Sequence, residues 1–380
     1  MMDFGITDEQ RILLENVKKF SKEEIEPIAA EIDLKGIFPD DVIHKIGSMG
    51  LNGMIVSKEL GGMGLDTVTY AMVIEELSRA SASVSAAVSV NNSLVCYTLE
   101  KFGNEAQKMK FLVPLANGTK IGSFAVTEPT AGTDAASMQT TAKKEGDSYI
   151  LNGTKIFITN AGKSKTALIF AMTDKEKGVK GITSFIVDTS SKGYVVGKIE
   201  DKMGIRGSQQ AQIFFENLAV PAENMLGKEG EGFKIAMSAI DCGRIGIAAQ
   251  ALGIAQSALD DSVKYAKERQ QFGKPIGEFQ AIQWKIAEMV TLTNAARFLV
   301  YRAAWKKDKG ERFTMDASMA KLFASDVAMR VTREAVQVHG GHGYIKGSNV
   351  ERLFRDAKIT EIYEGTSEVQ KIVISREALR

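Results

Sequence analysis

Residues 121–128 read IGSFAVTE, and they mark a change in the character of the chain. Before them, apolar residues recur at helical spacing. From them onward, apolar residues gather in short β-branched and aromatic runs: SYILNGTKIFIT (148–159), TALIFAMTD (166–174), ITSFIVDTS (182–190) and AQIFFENLAV (211–220). Turn-forming pieces such as EGD, NAGKSK and SSKG separate these runs. Short strands at this density predict an antiparallel sandwich or barrel over residues 122–229.

On the N-terminal side, residues 1–121 read as helical. Thr7 and Gln10 form a capping-box pair, followed by Leu13, Val17 and Phe20 at helical spacing. TYAMVIEELSRASASVSAAVSV (69–90) is a second long helical candidate. On the C-terminal side, the helical period returns after ENMLGKEGEG (223–232). Leu252, Ala255, Leu259, Val263 and Ala266 form one stripe, and Ile282, Ile286, Met289, Ala296, Leu299 and Ala303 form another. Gly310 should close that second helix, Thr314 should cap a third running to Gly340 and Gly341, and a last helix should follow Thr366. Pro275 is the last of the six prolines, which leaves the remainder free for long helices. The class is α+β: an N-terminal helical domain (1–121), a strand domain (122–229) and a C-terminal helical bundle (230–380).

Composition narrows the function. The 380 residues are 44% hydrophobic and 25% charged with a net charge of +1, so nothing draws the chain generally to nucleic acid or an anionic membrane. No apolar run approaches the ~20 residues of a membrane span, and the opening MMDFGITDEQ lacks the features of a signal peptide. Cys96 and Cys242 are the only cysteines and suit a reducing compartment, although a disulfide between them is not excluded. A bacterial cytoplasm is expected, with a mature mitochondrial-matrix form as the alternative. GKEGEG (227–232) lacks the order of a dinucleotide-binding fingerprint, and no Walker loop is present. His339 and His342 are separated by two glycines without a nearby acid motif, so no metal site is expected.

DAKITEIYEGTSEVQ (356–370) raises a sharper question, because Glu364 stands beside Gly365 between two helix-like runs. A turn needs only the glycine, so the acid is either solvated or aimed into a pocket. Taken together, FAVTEPTAGTDAASM (124–138) and AKITEIYEGTSEVQ (357–370) resemble the signature segments of the acyl-CoA dehydrogenase family. LNGTKIFITNAG (151–162), DCGRIGIAAQALGIAQ (241–256), ERQQFGKPIGEFQAIQ (268–283) and QVHGGHGY (337–344) are similar to further family segments, in the same order. The resemblance spans essentially the whole chain and is nearest to the short-chain, butyryl-type branch.

That resemblance implies an α domain, a central antiparallel β-barrel and a C-terminal four-helix bundle, with FAD bound in a homotetramer. It implies α,β-dehydrogenation of an acyl-CoA thioester to the trans-2-enoyl-CoA, with electrons passed to an electron-transferring flavoprotein. Glu364 matches the base that takes the α-proton, while flavin N5 takes the β-hydride and the Glu364 N–H donates to the thioester carbonyl. Some branches carry the base on a bundle helix, and the corresponding residue here is Gly243, which leaves Glu364 as the sole candidate. Flavin contacts carried over are Phe124, Val126, Thr127, Gly132 and Thr133, then Phe157 and Thr159. Arg269, Gln271, Phe272 and Gln280 are implied to reach the FAD of a neighbouring subunit, and Gln337, Gly340, Gly341, Thr366 and Glu368 complete its surroundings. Asp241, Arg244, Thr133 and Gly365 match positions near the substrate, although an Asp and an Arg three apart on a helix equally suit a structural ion pair.

The resemblance favours unbranched acyl groups of about butyryl size. Glutaryl-type members carry an arginine just before the segment matching SVNNSL (89–94), where this chain has Ser85, so a dicarboxylic substrate is not expected. A branched or cyclic short acyl group remains an alternative. So does a flavin oxidase or monooxygenase of the same fold, or a flavin-binding assembly protein without turnover.

Overall fold

The capping box forms as the sequence predicts: the Thr7 N–H donates to Gln10 Oε1 at 2.9 Å, and the Gln10 N–H donates to Thr7 Oγ1 at 3.2 Å. It starts the helix Asp8–Phe20, which buries Val17 and packs Leu13 and Phe20 against the core. The computed structural model describes residues 6–380, so the opening stretch read for targeting signals lies partly outside the described residues. The candidate helix over 69–90 is broken. Ser81 is extended (φ −157°, ψ 113°) and separates Thr67–Ala80 from Ala82–Ser89. A serine hydroxyl competes for backbone donors and so favours such a junction over a helix interior.

Eight strands follow: β1 (Gly122–Ala125), β2 (Thr141–Glu145), β3 (Ser148–Thr159), β4 (Thr166–Met172), β5 (Ile182–Asp188), β6 (Tyr194–Ile199), β7 (Gln210–Pro221) and β8 (Met225–Leu226). The apolar runs become β1, β3, β4, β5 and β7. The sheet runs β6-β7-β3-β2-β4-β5-β8, with β1 also beside β4. The β1–β4 and β2–β4 pairs are parallel and the others antiparallel. The expected antiparallel barrel is therefore corrected to a mixed sheet whose strand path does not close. Its interior is lined by Tyr149, Leu151, Ile169, Phe185, Ile213 and Phe215.

The C-terminal helices Gly232–Glu268, Gln280–Asp308, Thr314–His339 and Asn349–Ile359 form the bundle, and Ser367–Ala378 packs on the third of them. Gly310 takes φ 69° just beyond its helix, as a C-terminal glycine should. Thr314 does not cap: it is the first helical residue, and its hydroxyl donates instead to Asp241 Oδ2 at 2.7 Å. The helix Gly232–Glu268 is apolar and long enough to cross a membrane by length and composition, but 78% of its most apolar window is buried in the fold. One core joins the N-terminal helices to the bundle through Tyr70, Ile74, Leu77, Ile245, Leu252 and Ala324. A second core, with Leu94, Val126, Phe170 and Ile235, lies where sheet, N-terminal helices and long helix meet. The glutamate singled out by sequence faces that junction.

Candidate active site

After the helix Asn349–Ile359 the chain turns through residues 360–365, and Thr366 caps the last helix, its hydroxyl accepting from the Val369 N–H at 3.4 Å. Glu364 adopts φ 54° and Gly365 φ 95°. For a non-glycine residue such a backbone costs about 1–3 kcal/mol and persists only where neighbours hold it. They do: Gln370 Nε2 donates to the carbonyls of Glu364 (3.3 Å) and Gly365 (2.8 Å), and Lys321 Nζ donates to the Gly365 carbonyl at 2.7 Å. Arg244 Nε reaches the Glu364 carbonyl at 3.5 Å, and the Tyr363 hydroxyl donates to Gln250 Oε1. The Glu364 N–H has no acceptor among the described residues.

The Glu364 side chain turns inward. Its Oε2 is closed off from solvent without a hydrogen-bond partner, while the residue as a whole is half-buried. It is aimed at Gly243 on the long helix: a Cβ there would collide with Oε2 and lie 2.7 Å from Leu94 Cδ2. Burial pushes the carboxyl up to about 8, against the opposing charges of Arg244 and Lys321. A carboxyl free of hydrogen bonds, whose ionised form is a strong base near neutral pH, suits proton abstraction. Gly243→Ala is expected to displace the Glu364 carboxylate while leaving the helix intact. A misplacement of about 1 Å can cost roughly 100-fold in rate, so kcat should fall by that order with an unchanged melting temperature. Wild-type kcat would show that the carboxylate tolerates the methyl group.

The Asp241–Arg244 pair expected near the substrate does form, at 2.7 Å, and Arg244 is only 6% exposed. Arg244 also donates to Ser318 Oγ at 3.3 Å. Burial raises the Asp241 carboxyl despite the charge of Arg244. Gly243, Gly246 and Gln250 share one face of the long helix. A Cβ at Gly246 would collide with Ser89 Oγ and the Tyr70 hydroxyl, themselves 2.8 Å apart. Gln250 Nε2 donates to the Ala82 carbonyl (2.8 Å) and to Ser85 Oγ (3.3 Å). The helix face beyond Glu364 is thus filled by close-packed, internally bonded polar groups.

The two sequence segments read as flavin contacts are adjacent. Ile156 N–H donates to the Thr127 carbonyl at 3.0 Å, which sets Phe124, Val126 and Thr127 beside Phe157 and Thr159. Phe157 sits at a β3 bulge with φ 60° and is 60% exposed. Gly132 and Thr133 lie exposed in the following loop, with open space where a Gly132 Cβ would project. Beneath them, Lys155 Nζ donates to the Val126 carbonyl (3.0 Å) and to Glu128 Oε1 (2.8 Å), and Glu128 accepts from the N–H groups of Gln139 (2.5 Å) and Thr140 (3.0 Å). An outward aromatic ring, backbone groups and a self-neutralised ion pair fit a neutral aromatic ring system such as isoalloxazine.

Arg269, Gln271, Phe272, Gln280, Gln337, Gly340 and Gly341 are not brought to Glu364. All are exposed at the far end of the bundle, where Tyr265 stacks on His339 with ring centroids 4.3 Å apart. From Gly243 to Glu268 the long helix rises roughly 37 Å at 1.5 Å per residue. Within one chain these residues and Glu364 cannot meet on a single ligand atom. Glu368, also exposed, lies in the first turn of the last helix. Lys321, Gln370, Lys155 and Glu128 were not singled out from the sequence. For Lys321 a signal existed: it falls on the helical stripe of Ala317, Ala320, Ala324 and Ala328, where a charge is out of place.

Comparison with known proteins bears on this arrangement. The N-terminal, middle and C-terminal domain models of the acyl-CoA dehydrogenase family match residues 7–119, 123–218 and 230–379. The short-chain specific acyl-CoA dehydrogenase of Clostridium acetobutylicum is 51% identical over 379 residues, covering 100% of both chains. The structure of butyryl-CoA dehydrogenase from Megasphaera elsdenii matches with a TM-score of 0.98 at 51% identity, again over 100% of both chains. A chain from a structure described for the electron transferring flavoprotein of Acidaminococcus fermentans matches with a TM-score of 0.99 at 51% identity and the same coverage. The FAD complex of PigA matches with a TM-score of 0.95 at 30% identity, over 99% of each chain. Matched in order along nearly its whole length, this chain belongs to the acyl-CoA dehydrogenase family.

Proposed function

We propose that the chain binds FAD and converts a short, unbranched acyl-CoA thioester to the trans-2-enoyl-CoA, passing electrons to an electron-transferring flavoprotein. The observation that carries this reading is the buried, unpartnered Oε2 of Glu364 opposite Gly243. In its ionised form that oxygen takes the Cα proton. The Glu364 N–H, which has no acceptor among the described residues, donates to the thioester carbonyl as negative charge develops there. The Cβ hydrogen leaves with its bonding electron pair, and the electrons of the broken Cα–H bond form the double bond. FAD, when bound, supplies the acceptor for that hydrogen and electron pair. Phe124, Val126, Thr127, Gly132, Thr133, Phe157 and Thr159 would hold it on the strand side.

The short-chain preference rests on the names of the relatives and on the filled helix face formed by Tyr70, Ser89, Gln250 and Tyr363. Ser85 is buried there with its hydroxyl donating to the Ala82 carbonyl at 3.1 Å, which offers no cation to a distal carboxylate. Exposed Phe272, Trp284, Tyr344 and Ile345 support assembly, in which the far-end residues Arg269, Gln271, Gln280, Gln337, Gly340 and Gly341 would serve the cofactor of a neighbouring subunit in a homotetramer. Incubation with butyryl-CoA and an electron-transferring flavoprotein should yield crotonyl-CoA by mass spectrometry. Formation of hydrogen peroxide without reduction of the flavoprotein would favour an oxidase instead.

A further inference from the structure

The helix Thr314–His339 turns Ala317, Ala320, Ala324, Ala328 and Val331 to the core with no exposed surface, and sets one ammonium group among them. Lys321 is itself wholly buried. Among the described residues, no carboxylate lies within 4.0 Å of its Nζ, in contrast to buried Lys155, which pairs with Glu128 at 2.8 Å. Its ammonium donates to the Gly365 carbonyl at 2.7 Å. Burying a charge without a counter-ion is costly, and burial pulls this lysine down to about 8. The hydrogen bond alone does not account for a lysine, because the neutral amide of Gln370 donates to the same carbonyl at 2.8 Å. What lysine adds is charge, one residue from Glu364.

We infer that Lys321 is a positioning residue for Glu364: it fixes the left-handed turn through the Gly365 carbonyl, and its ammonium sets the proton affinity of the Glu364 carboxyl. Other groups face that carboxyl from each packed element. The long helix brings Arg244 and Cys242, the helix Thr67–Ala80 brings Tyr70, and the turn itself brings Tyr363. Glu361 and Glu368 act instead on the Lys321 ammonium, and Arg376 on Arg244. Of the two cations that oppose the upward push of burial, Arg244 is already paired with Asp241. Lys321 is the one without a carboxylate partner within 4.0 Å among the described residues, so its removal should be felt at Glu364 itself.

The inference rests on Glu364 as the base, and its test separates the two claims. The protonated Glu364 carboxyl gives an infrared C=O band that Glu364→Gln removes, and its pH titration can be followed without turnover. In Lys321→Met the midpoint should rise by about one pH unit or more, and the ascending limb of kcat/KM should rise with it. Gln370→Met removes a donor to the same carbonyl but no charge, so kcat should fall with the midpoint unmoved. Lys321→Arg should keep the wild-type midpoint. If Lys321→Met does not fold, Lys321→Gln carries the same expectation. An unmoved midpoint in the neutral variant would overturn the inference, whereas a wild-type enzyme inert to every short acyl-CoA would overturn the base assignment instead.

Discussion

Glu364→Gln leaves a folded protein that retains FAD and is reduced by butyryl-CoA about 10²–10⁴-fold more slowly than wild type, the usual contribution of a general base. The fold should tolerate the change because burial already pushes this carboxyl up to about 8, so at neutral pH its resting form is largely neutral, as an amide is. The backbone bonds that hold the turn run to the carbonyls of residues 364 and 365 and are untouched. What is lost is the ionised form that accepts the Cα proton. That form grows as pH rises through the carboxyl's pKa, so wild-type kcat/KM should climb with pH toward a limb near 8 in the substrate-free enzyme, and the Gln variant should show no such limb. Stopped-flow absorbance across pH checks both statements. Undiminished reduction would remove Glu364 from the reaction.

Lys155→Met is expected to destabilise the protein by about 3–5 kcal/mol, as when one partner of a buried ion pair is removed. Burial would raise the Glu128 carboxyl, but the charge of Lys155 and the bonds from Thr140 and Gln139 hold it below its ordinary value, so Glu128 is ionised at neutral pH. Without Lys155 that charge stays buried and uncompensated, and the Val126 carbonyl loses its donor. Glu128 also closes residues 128–140 by accepting from Gln139 and Thr140, so the loop carrying Gly132 and Thr133 should loosen and FAD should dissociate more readily. Adding Glu128→Gln removes the stranded charge and should restore part of the stability. Denaturant unfolding and the fraction of FAD retained on gel filtration measure the two effects. A double variant no more stable than Lys155→Met would contradict the ion-pair account.

Legibility in the sequence followed burial. β4 and β5 were readable because strands buried on both faces carry near-continuous apolar runs. β2 was not, since four of its five residues are exposed and TAKKE reads as a polar turn. The parallel partners of β4 were hidden because pairing between residues so far apart in sequence leaves no local pattern, and the all-antiparallel expectation failed there. Thr314 had the right residue type for a cap, but the half-buried Asp241 on another helix claimed its hydroxyl. The Asp241–Arg244 pair was legible from its spacing, whereas its closeness to Glu364 was not. Neither the inward aim of Glu364 nor the outward aim of Phe157 could be read locally, because both depend on positive φ at non-glycine residues. The Glu-Gly junction drew attention to Glu364, but only the family resemblance chose a pocket over solvent for it and pointed to Phe157.

The central claim is that Glu364 and a bound FAD act together on a short acyl-CoA. The purified protein, reconstituted with FAD and kept free of oxygen, should lose its visible flavin absorbance when titrated with butyryl-CoA. A protein that binds FAD but keeps its full absorbance with every short acyl-CoA, or one that cannot take up FAD at all, would contradict it.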